Sequence, residues 1–517
     1  MIFERKKYLD ELIAGRGNGL VKIITGVRRC GKSFLLFDIW HNWLLEHGVT
    51  DSHIIEIQLD DFRNRRLRKP DTLLDYIDSK VVDDGKPYYI VLDEVQLVEE
   101  FVEVILSLTH MRNVDVYVSG SNSRFLSSDV VTEFRGRGDE IRIWPLTFDE
   151  YFNGIGGDIR KAWLDYYTFG GLPQVALLET EEKKTDYLRG LYETTYLRDV
   201  IERNHLRNPE GMKELVRVIA SGIGSSTNPT RIANTFQSSQ GVTIKRDTIK
   251  QYIDYLKDSF LIEEALRYDV KGRKYIGTET KYYFADVGIR AAILNYRQQE
   301  ETHIMENIIY NELRSRGYNV DVGLVELGGK DENGKFVRKQ LEVDFVVNRP
   351  PYRVYIQSAF HMPTPEKEQQ ERRPLLSIND HFRKIVIVGD DIHRKEDELG
   401  VLTVYCTVQL SALQFHFKTC KHCRICLLGQ GNGLTAYLLQ LVLKRCHLLI
   451  CQCNRAGHHC SGNVMVHIVP PCKFLTASGI LSQDSALTQQ FQKIHQIPFC
   501  FCSKCSIKKF CPLFLRD

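Results

Sequence analysis

The chain has 517 residues, 43% hydrophobic and 26% charged, a globular balance with enough length for about three or four domains. No run approaches the roughly 18 apolar residues of a spanning helix, which excludes a helical membrane protein as an expectation. The formal charge of +3 conceals a split, because residues 1–404 hold 57 Lys+Arg against 64 Asp+Glu while residues 405–517 hold 12 against 2. Cysteine divides the same way, with 13 of 14 at or after Cys406 and Cys30 alone before it. The start MIFERKKYLDEL mixes charges of both signs and lacks the apolar core of a secretory leader, so a cytoplasmic protein is expected.

In chain order, Leu20–Thr25 reads as a buried strand, and Ser33–Gly48 carries apolar residues at helical spacing before a glycine stop. Between them Gly26, Val27, Arg28, Arg29, Cys30, Gly31, Lys32 and Ser33 spell G-x-x-x-x-G-K-[ST] in the strand–loop–helix setting that a phosphate loop requires. Backbone N–H groups of such a loop wrap phosphate oxygens, and the helix start adds its dipole. Lys32 would reach the β- and γ-phosphates and Ser33 would ligate Mg2+. A second apolar run from Tyr88 ends in Asp93 and Glu94, which predicts a metal-holding carboxylate at a strand's carboxyl end followed by a base for the attacking water. A third strand, Val114–Ser119, leads to Asn122, read as a sensor of the γ-phosphate, the bland alternative being a turn-forming Asn. Arg135 and Arg137 lie before the next strand. One of them, Arg137 foremost, is the candidate arginine finger, acting within the chain or across a subunit boundary, against solvated loop charge as the alternative.

The order GVRRCGKS, YYIVLDE, VSGSNS, FRGRGDEIRIWPLTFDEY and FGGLP resembles a prokaryotic family of AAA-type P-loop ATPases whose ATPase domain precedes a domain of unknown function. TYLRDVIERNHLRN (195–208) and QLEVDFVV (340–347) are similar to that family's second half, so the likeness runs from about Met1 to Val404. The resemblance implies ATP binding and hydrolysis, without naming a substrate, and with the motif reading of Ser33 and Asp93 the expected cofactors are ATP and Mg2+.

Residues 155–220 read as helical, with Tyr187, Leu188, Leu191, Tyr192 and Tyr196 forming a core stripe. After it, Pro229–Gln237 predicts a short helix, SSQG a turn, Thr248–Phe260 a longer helix and Tyr268–Tyr283 a wing, a winged-helix layout. Arg246 and Lys250 would face duplex DNA, with Lys271, Arg273 and Lys274 on the wing, although Asp247, Asp254 and Glu279 interrupt the charge. A helical bundle packing on the ATPase core or pairing with a partner protein is the alternative. Farther on, a helix with Glu306 and Glu312, a strand with Glu342 and Asp344, and a strand over Arg353–Gln357 outline a restriction-endonuclease-like α/β domain. Ala359 stands where its lysine would be, which argues against cleavage.

The expected fold class is α/β. A P-loop NTPase parallel sheet (1–152) is followed by a helical region (153–225), a winged-helix-like region (226–295), a nuclease-like domain (296–404) and an irregular Cys-rich tail (405–517). In the tail Cys420, Cys423 and Cys426, the cluster Cys500, Cys502, Cys505 and Cys511, and His458, His459 and Cys460 fit no paired zinc template. A non-native or frame-shifted reading is preferred there to a zinc module. The expected function is Mg-dependent ATP hydrolysis coupled to DNA, in a homo-oligomer or with a partner protein, and the alternative is a nucleotide-dependent DNA- or protein-binding switch with little turnover.

Overall fold

The computed structural model describes residues 3–120, 134, 136–240, 244–298, 300–330, 336–350, 352–389, 395–406, 463–465 and 498–500. Internal contacts divide the chain into Met1–Phe415 and His416–Asp517. In the second unit the described residues are two short antiparallel strands, Asn463–Met465 and Pro498–Cys500. The Cys and His clusters of the tail lie outside the described side chains.

The first unit begins with five parallel strands, β1 (Val21–Gly26), β2 (Ile54–Gln58), β3 (Tyr88–Asp93), β4 (Val114–Ser119) and β5 (Gly138–Ile143), in spatial order β2-β3-β4-β1-β5. Strands β1 and β3 are buried at every position, as strands covered by helices on both faces must be. Two apolar layers do the covering. One holds Trp40 and Leu44 of the helix that leaves the phosphate loop, and the other holds Leu73, Ile77, Val104 and Ile105 of helices Pro70–Lys80 and Phe101–Leu108. All five strands run the same way, so the loops after β1, β3 and β4 emerge at one edge, where open α/β sheets bind ligands.

Helices Phe148–Ile155, Ile159–Phe169, Glu181–Leu191, Arg198–Arg203 and Pro209–Ser221 follow, with a π-helical turn at Tyr192–Leu197. Two more, Pro229–Gln240 and Arg246–Asp258, precede a hairpin of β6 (Ile262–Asp269) and β7 (Lys274–Phe284). The sequence suggests a turn at SSQG, but the first of these helices continues through Ser238, whose hydroxyl is satisfied by the Thr235 carbonyl at 3.2 Å. The hairpin is not a free wing. Arg267 to Asp269 pair in parallel with Val322 to Leu324, which joins it to β8 (Asn319–Lys330), β9 (Phe336–Arg349), β10 (Tyr352–Ala359), β11 (Arg383–Val388), β12 (Lys395–Glu396) and β13 (Val401–Tyr405). The result is an eight-stranded mixed sheet in the order β12-β13-β11-β10-β9-β8-β6-β7. Helix Glu301–Ser315 covers one face in continuity with the large core. Leu375 of helix Pro365–Leu376 lies in the core cluster on the other.

Candidate functional site

The loop after β1 has the shape its glycines dictate. Gly26 has φ +135° and sits against β5, where a Cβ would fall 2.1 Å from the Ile143 carbonyl oxygen. Gly31, at φ +98°, turns the chain into the helix that starts at Lys32. Cys30 is fully buried and its thiol points to the Ile143 carbonyl at 3.5 Å, so this residue and buried Val27 fasten the loop to the sheet. Lys32 folds back and donates to the carbonyls of Gly26 at 3.0 Å and Val27 at 3.1 Å.

Asp93, at the carboxyl end of β3, gathers the neighbouring groups. Ser33 Oγ donates to its Oδ2 at 2.6 Å, and the Glu94 N–H to its Oδ1 at 3.0 Å. Ser119 of β4 also donates to Oδ1. Burial pushes the Asp93 carboxyl above its ordinary pKa, and the Ser119 and Ser33 hydroxyls pull the other way. Glu94 is half-buried in a left-handed backbone conformation, φ 52°, and its Oε2 accepts from the Gln96 amide. A Mg2+ ion takes hard oxygen ligands, and the adjoining Ser33 hydroxyl and Asp93 carboxylate fit that demand.

Lys32, Ser33, Asp93 and Glu94 all open on one cleft of about 470 Å3, within the range of small-molecule sites. Arg28, Arg29, Phe3 and Asp60 line it too, as do Pro173, Gln174, Leu177 and Tyr187 from beyond the sheet. Sequence reasoning missed that outer wall. Tyr187 looked like core because its neighbours Leu188 and Leu191 are buried, yet it stands half-buried at the edge of that stripe. The Gly170–Gly171 turn that leads to Pro173 is pinned from far along the chain. Asp286 accepts from the Gly171 N–H at 2.8 Å and caps helix Val287–Ile293 through Ile289 N at 3.0 Å. Burial raises the Asp286 carboxyl to about 6, against the pull of the Gly171, Ile289 and Gly288 N–H groups. The phosphate loop is gripped as well, since Tyr196 donates to the Arg28 carbonyl at 2.8 Å and Asp199 pairs with the Arg28 guanidinium.

One expected residue does not join this group. Arg137 lies at the amino end of β5, its carbonyl accepting from Val21 N at 2.8 Å and its guanidinium 3.4 Å from His110. The six residues of β1, about 20 Å, separate it from the phosphate loop. Asn122 and Arg135 lie outside the described residues, Asn122 three positions past Ser119.

In the second sheet the structure gathers Glu306, Glu342 and Asp344 around a lysine that sequence reasoning did not single out. Lys281 of β7 sits 2.9 Å from Glu306, 2.7 Å from Glu342 and 3.9 Å from Asp344. Burial opposes the Lys281 charge, but Glu306, Asp344 and Glu342 outweigh it and hold the ammonium above its ordinary pKa. Glu312 belongs elsewhere, accepting from Phe148 N at 2.7 Å and pairing with Arg316. Ala359 is buried in the opposite core, and no group of three or more His, Cys, Asp or Glu among the described residues is arranged to hold a metal. Arg246 and Lys250 are exposed at the start of helix Arg246–Asp258. Lys271, Arg273 and Lys274 are exposed at the hairpin tip, with Lys271 Nζ on the Glu326 carbonyl at 2.9 Å.

Comparison with known proteins agrees with this geometry. Residues 18–152 match the family described as AAA domain, and residues 160–300 match a Domain of unknown function (DUF8612). The chain is 29% identical over 409 residues to an uncharacterized protein of Haemophilus influenzae, covering 78% of this chain and 97% of that one. It is 27% identical over 344 residues to Uncharacterized protein MJ1544 of Methanocaldococcus jannaschii, covering 63% and 72%. Among solved structures, Cdc6p from Pyrobaculum aerophilum aligns at 12% identity and TM-score 0.26, over 56% of this chain and 93% of that one. Residues 18–152 thus match an AAA domain, in keeping with the P-loop geometry of the first sheet. Among the described residues no helix is long and apolar enough to cross a membrane.

Proposed function

We propose that the chain hydrolyses ATP to ADP and phosphate with Mg2+ in the cleft formed by Lys32, Ser33, Asp93 and Glu94. The observation that carries this reading is the Ser33–Asp93 contact at 2.6 Å, which puts the last residue of the loop motif beside the last residue of β3. Gly26 to Ser33 cradle the phosphates, Lys32 exchanges its two loop carbonyls for phosphate oxygens, and Ser33 and Asp93 hold the metal. Mg2+ held there would supply charge neutralisation for the phosphoryl group. Glu94 takes the proton of the attacking water, Asn122 senses the γ-phosphate, and Arg137 serves a neighbouring copy in a homo-oligomer, since in its own chain it stands at the far end of β5.

Exposed Arg246, Lys250, Lys271, Arg273 and Lys274 support coupling to duplex DNA through a winged-helix-like region. The helix and strands that bring Glu306, Glu342 and Asp344 together support a nuclease-like third domain, and Lys281 in their midst supports one that does not cut. The protein is read as cytoplasmic, and the tail after residue 404 as non-native. A second reading, a nucleotide-dependent DNA- or protein-binding switch with little turnover, is favoured by the Gln96 amide on Glu94 and by the Tyr196 and Asp199 grip on Arg28. Phosphate release by the full chain, with Mg2+ or with chelator and with or without duplex DNA, tests the proposal. Metal-dependent release supports hydrolysis, and tight ATP binding with no release under any condition supports the switch.

A further inference from the structure

Phe62 is the most exposed large apolar side chain among the described residues, at 76%. It opens the 3-10 helix Phe62–Arg68, which follows β2 at the ligand-binding edge of the first sheet. From Phe62 to Lys69 the sequence is FRNRRLRK, five cations in eight residues, within a stretch of chain that is net acidic. The backbone of the segment is anchored. Asp61 caps it by accepting from Arg63 N at 2.9 Å, Asn64 donates to the Gln58 carbonyl at 2.9 Å, and Arg68 Nε donates to the Leu59 carbonyl at 2.8 Å.

With three residues per turn and a rise of about 2 Å, a 3-10 helix aligns positions 63 and 66, with Lys69 at its end, in a row spaced about 6 Å. That spacing is comparable to the distance between successive phosphates of an extended strand. The other row holds Phe62 and Arg65, whose guanidinium lies 5.7 Å from the ring centroid. Arg63 is 87% exposed while bonded to Asp61, and Arg65, Arg66 and Lys69 have no acidic partner among the described residues. Solvated charge alone explains neither the exposed ring nor the preference for guanidinium, the group that forks onto phosphate oxygens and stacks on planar rings.

We propose that Phe62–Lys69 is a contact for single-stranded nucleic acid, the Phe62 ring stacking on a base while Arg63, Arg66 and Lys69 meet successive phosphates. The segment also touches the nucleotide cleft. The residue before the cap, Asp60, lines it, and Leu59 N donates to the Asp93 backbone carbonyl at 3.1 Å, so the chain leading into the segment is joined by one backbone hydrogen bond to the residue proposed to hold the metal.

The test is fluorescence anisotropy of a dye-labelled oligothymidine and of a matching duplex with the reduced full chain, without nucleotide, over a range of KCl. Omitting ATP separates the outcome from the hydrolysis reading, and the basic tail is present in every variant, so differences report on this segment. The triple variant Arg63→Ala, Arg66→Ala, Lys69→Ala is expected to weaken oligothymidine binding at least tenfold. Three lost phosphate contacts should lower the slope of log affinity against log salt by about 2. Phe62→Ala is expected to weaken binding about fivefold or more with the slope unchanged, and the double variant Arg63→Lys, Arg66→Lys to keep the slope. Variants whose melts match wild type yet bind oligothymidine with its affinity and slope overturn the proposal. A wild-type chain that binds only duplex, or only an acidic polymer such as polyglutamate, also overturns it.

Discussion

The two sheets answer the same electrostatic problem, carboxylates gathered beside their strands, in opposite ways. In the first, Asp93 is bonded to two hydroxyls and one N–H, and the nearest lysine, Lys32, is turned onto backbone carbonyls beside an open cleft. In the second, Lys281 comes in on β7 and its ammonium compensates Glu306 and Glu342 directly. The first arrangement can exchange partners with a ligand at low cost, because the hydroxyls and carbonyls that Asp93 and Lys32 give up are uncharged. The second cannot, since removing either partner leaves a buried charge. In this pair the exchangeable arrangement belongs to the parallel sheet and internal cohesion to the mixed one.

The sharpest way to break this contrast is Lys281→Met. It should cost about 3–5 kcal/mol in denaturant unfolding, by leaving Glu306 uncompensated, while ATP affinity stays that of wild type. Adding Glu306→Gln should restore part of the loss. Lys32→Ala is expected to do the reverse, lowering ATP affinity on the order of 100-fold in a titration with labelled nucleotide and leaving the unfolding midpoint unmoved. Asp286→Asn sharpens the link between the two sheets. The folded carboxyl lies at about 6, above the ordinary 3.8, so its contribution to stability is present below about pH 4 and is lost as pH rises through 6. The asparagine variant should lack that component, a difference of about 2 kcal/mol in melts compared between pH 4 and 7. The smallest effect belongs to Tyr196→Phe. Losing one hydrogen bond to the Arg28 carbonyl should change ATP affinity by about 1 kcal/mol, and an unaltered affinity would remove this contact from the account of the loop.

What could be read in advance was what the chain writes locally. Gly26 to Ser33 specify their own loop, and the apolar runs ending at Asp93 and Ser119 specify strands that end beside it. Distances set by topology were hidden. Arg137 is close to the end of β4 in sequence, but the chain must return to the amino edge before β5 begins, which carries the arginine away from the cleft. Lys281 gave no signal because its partners come from residues 306, 342 and 344, brought together by the pairing of the hairpin with β8. Ser238 misled for a local reason, since a Ser-rich stretch favours turns but its hydroxyl can equally bond one turn back along a helix.

The most direct test of the central claim is Glu94→Gln in the full chain, with ATP binding and phosphate release measured side by side in Mg2+. The account predicts unchanged binding and turnover lowered by about 100-fold or more, the loss expected when a general base becomes an amide. Equal turnover in wild type and variant, with ATP bound equally well by both, would contradict it.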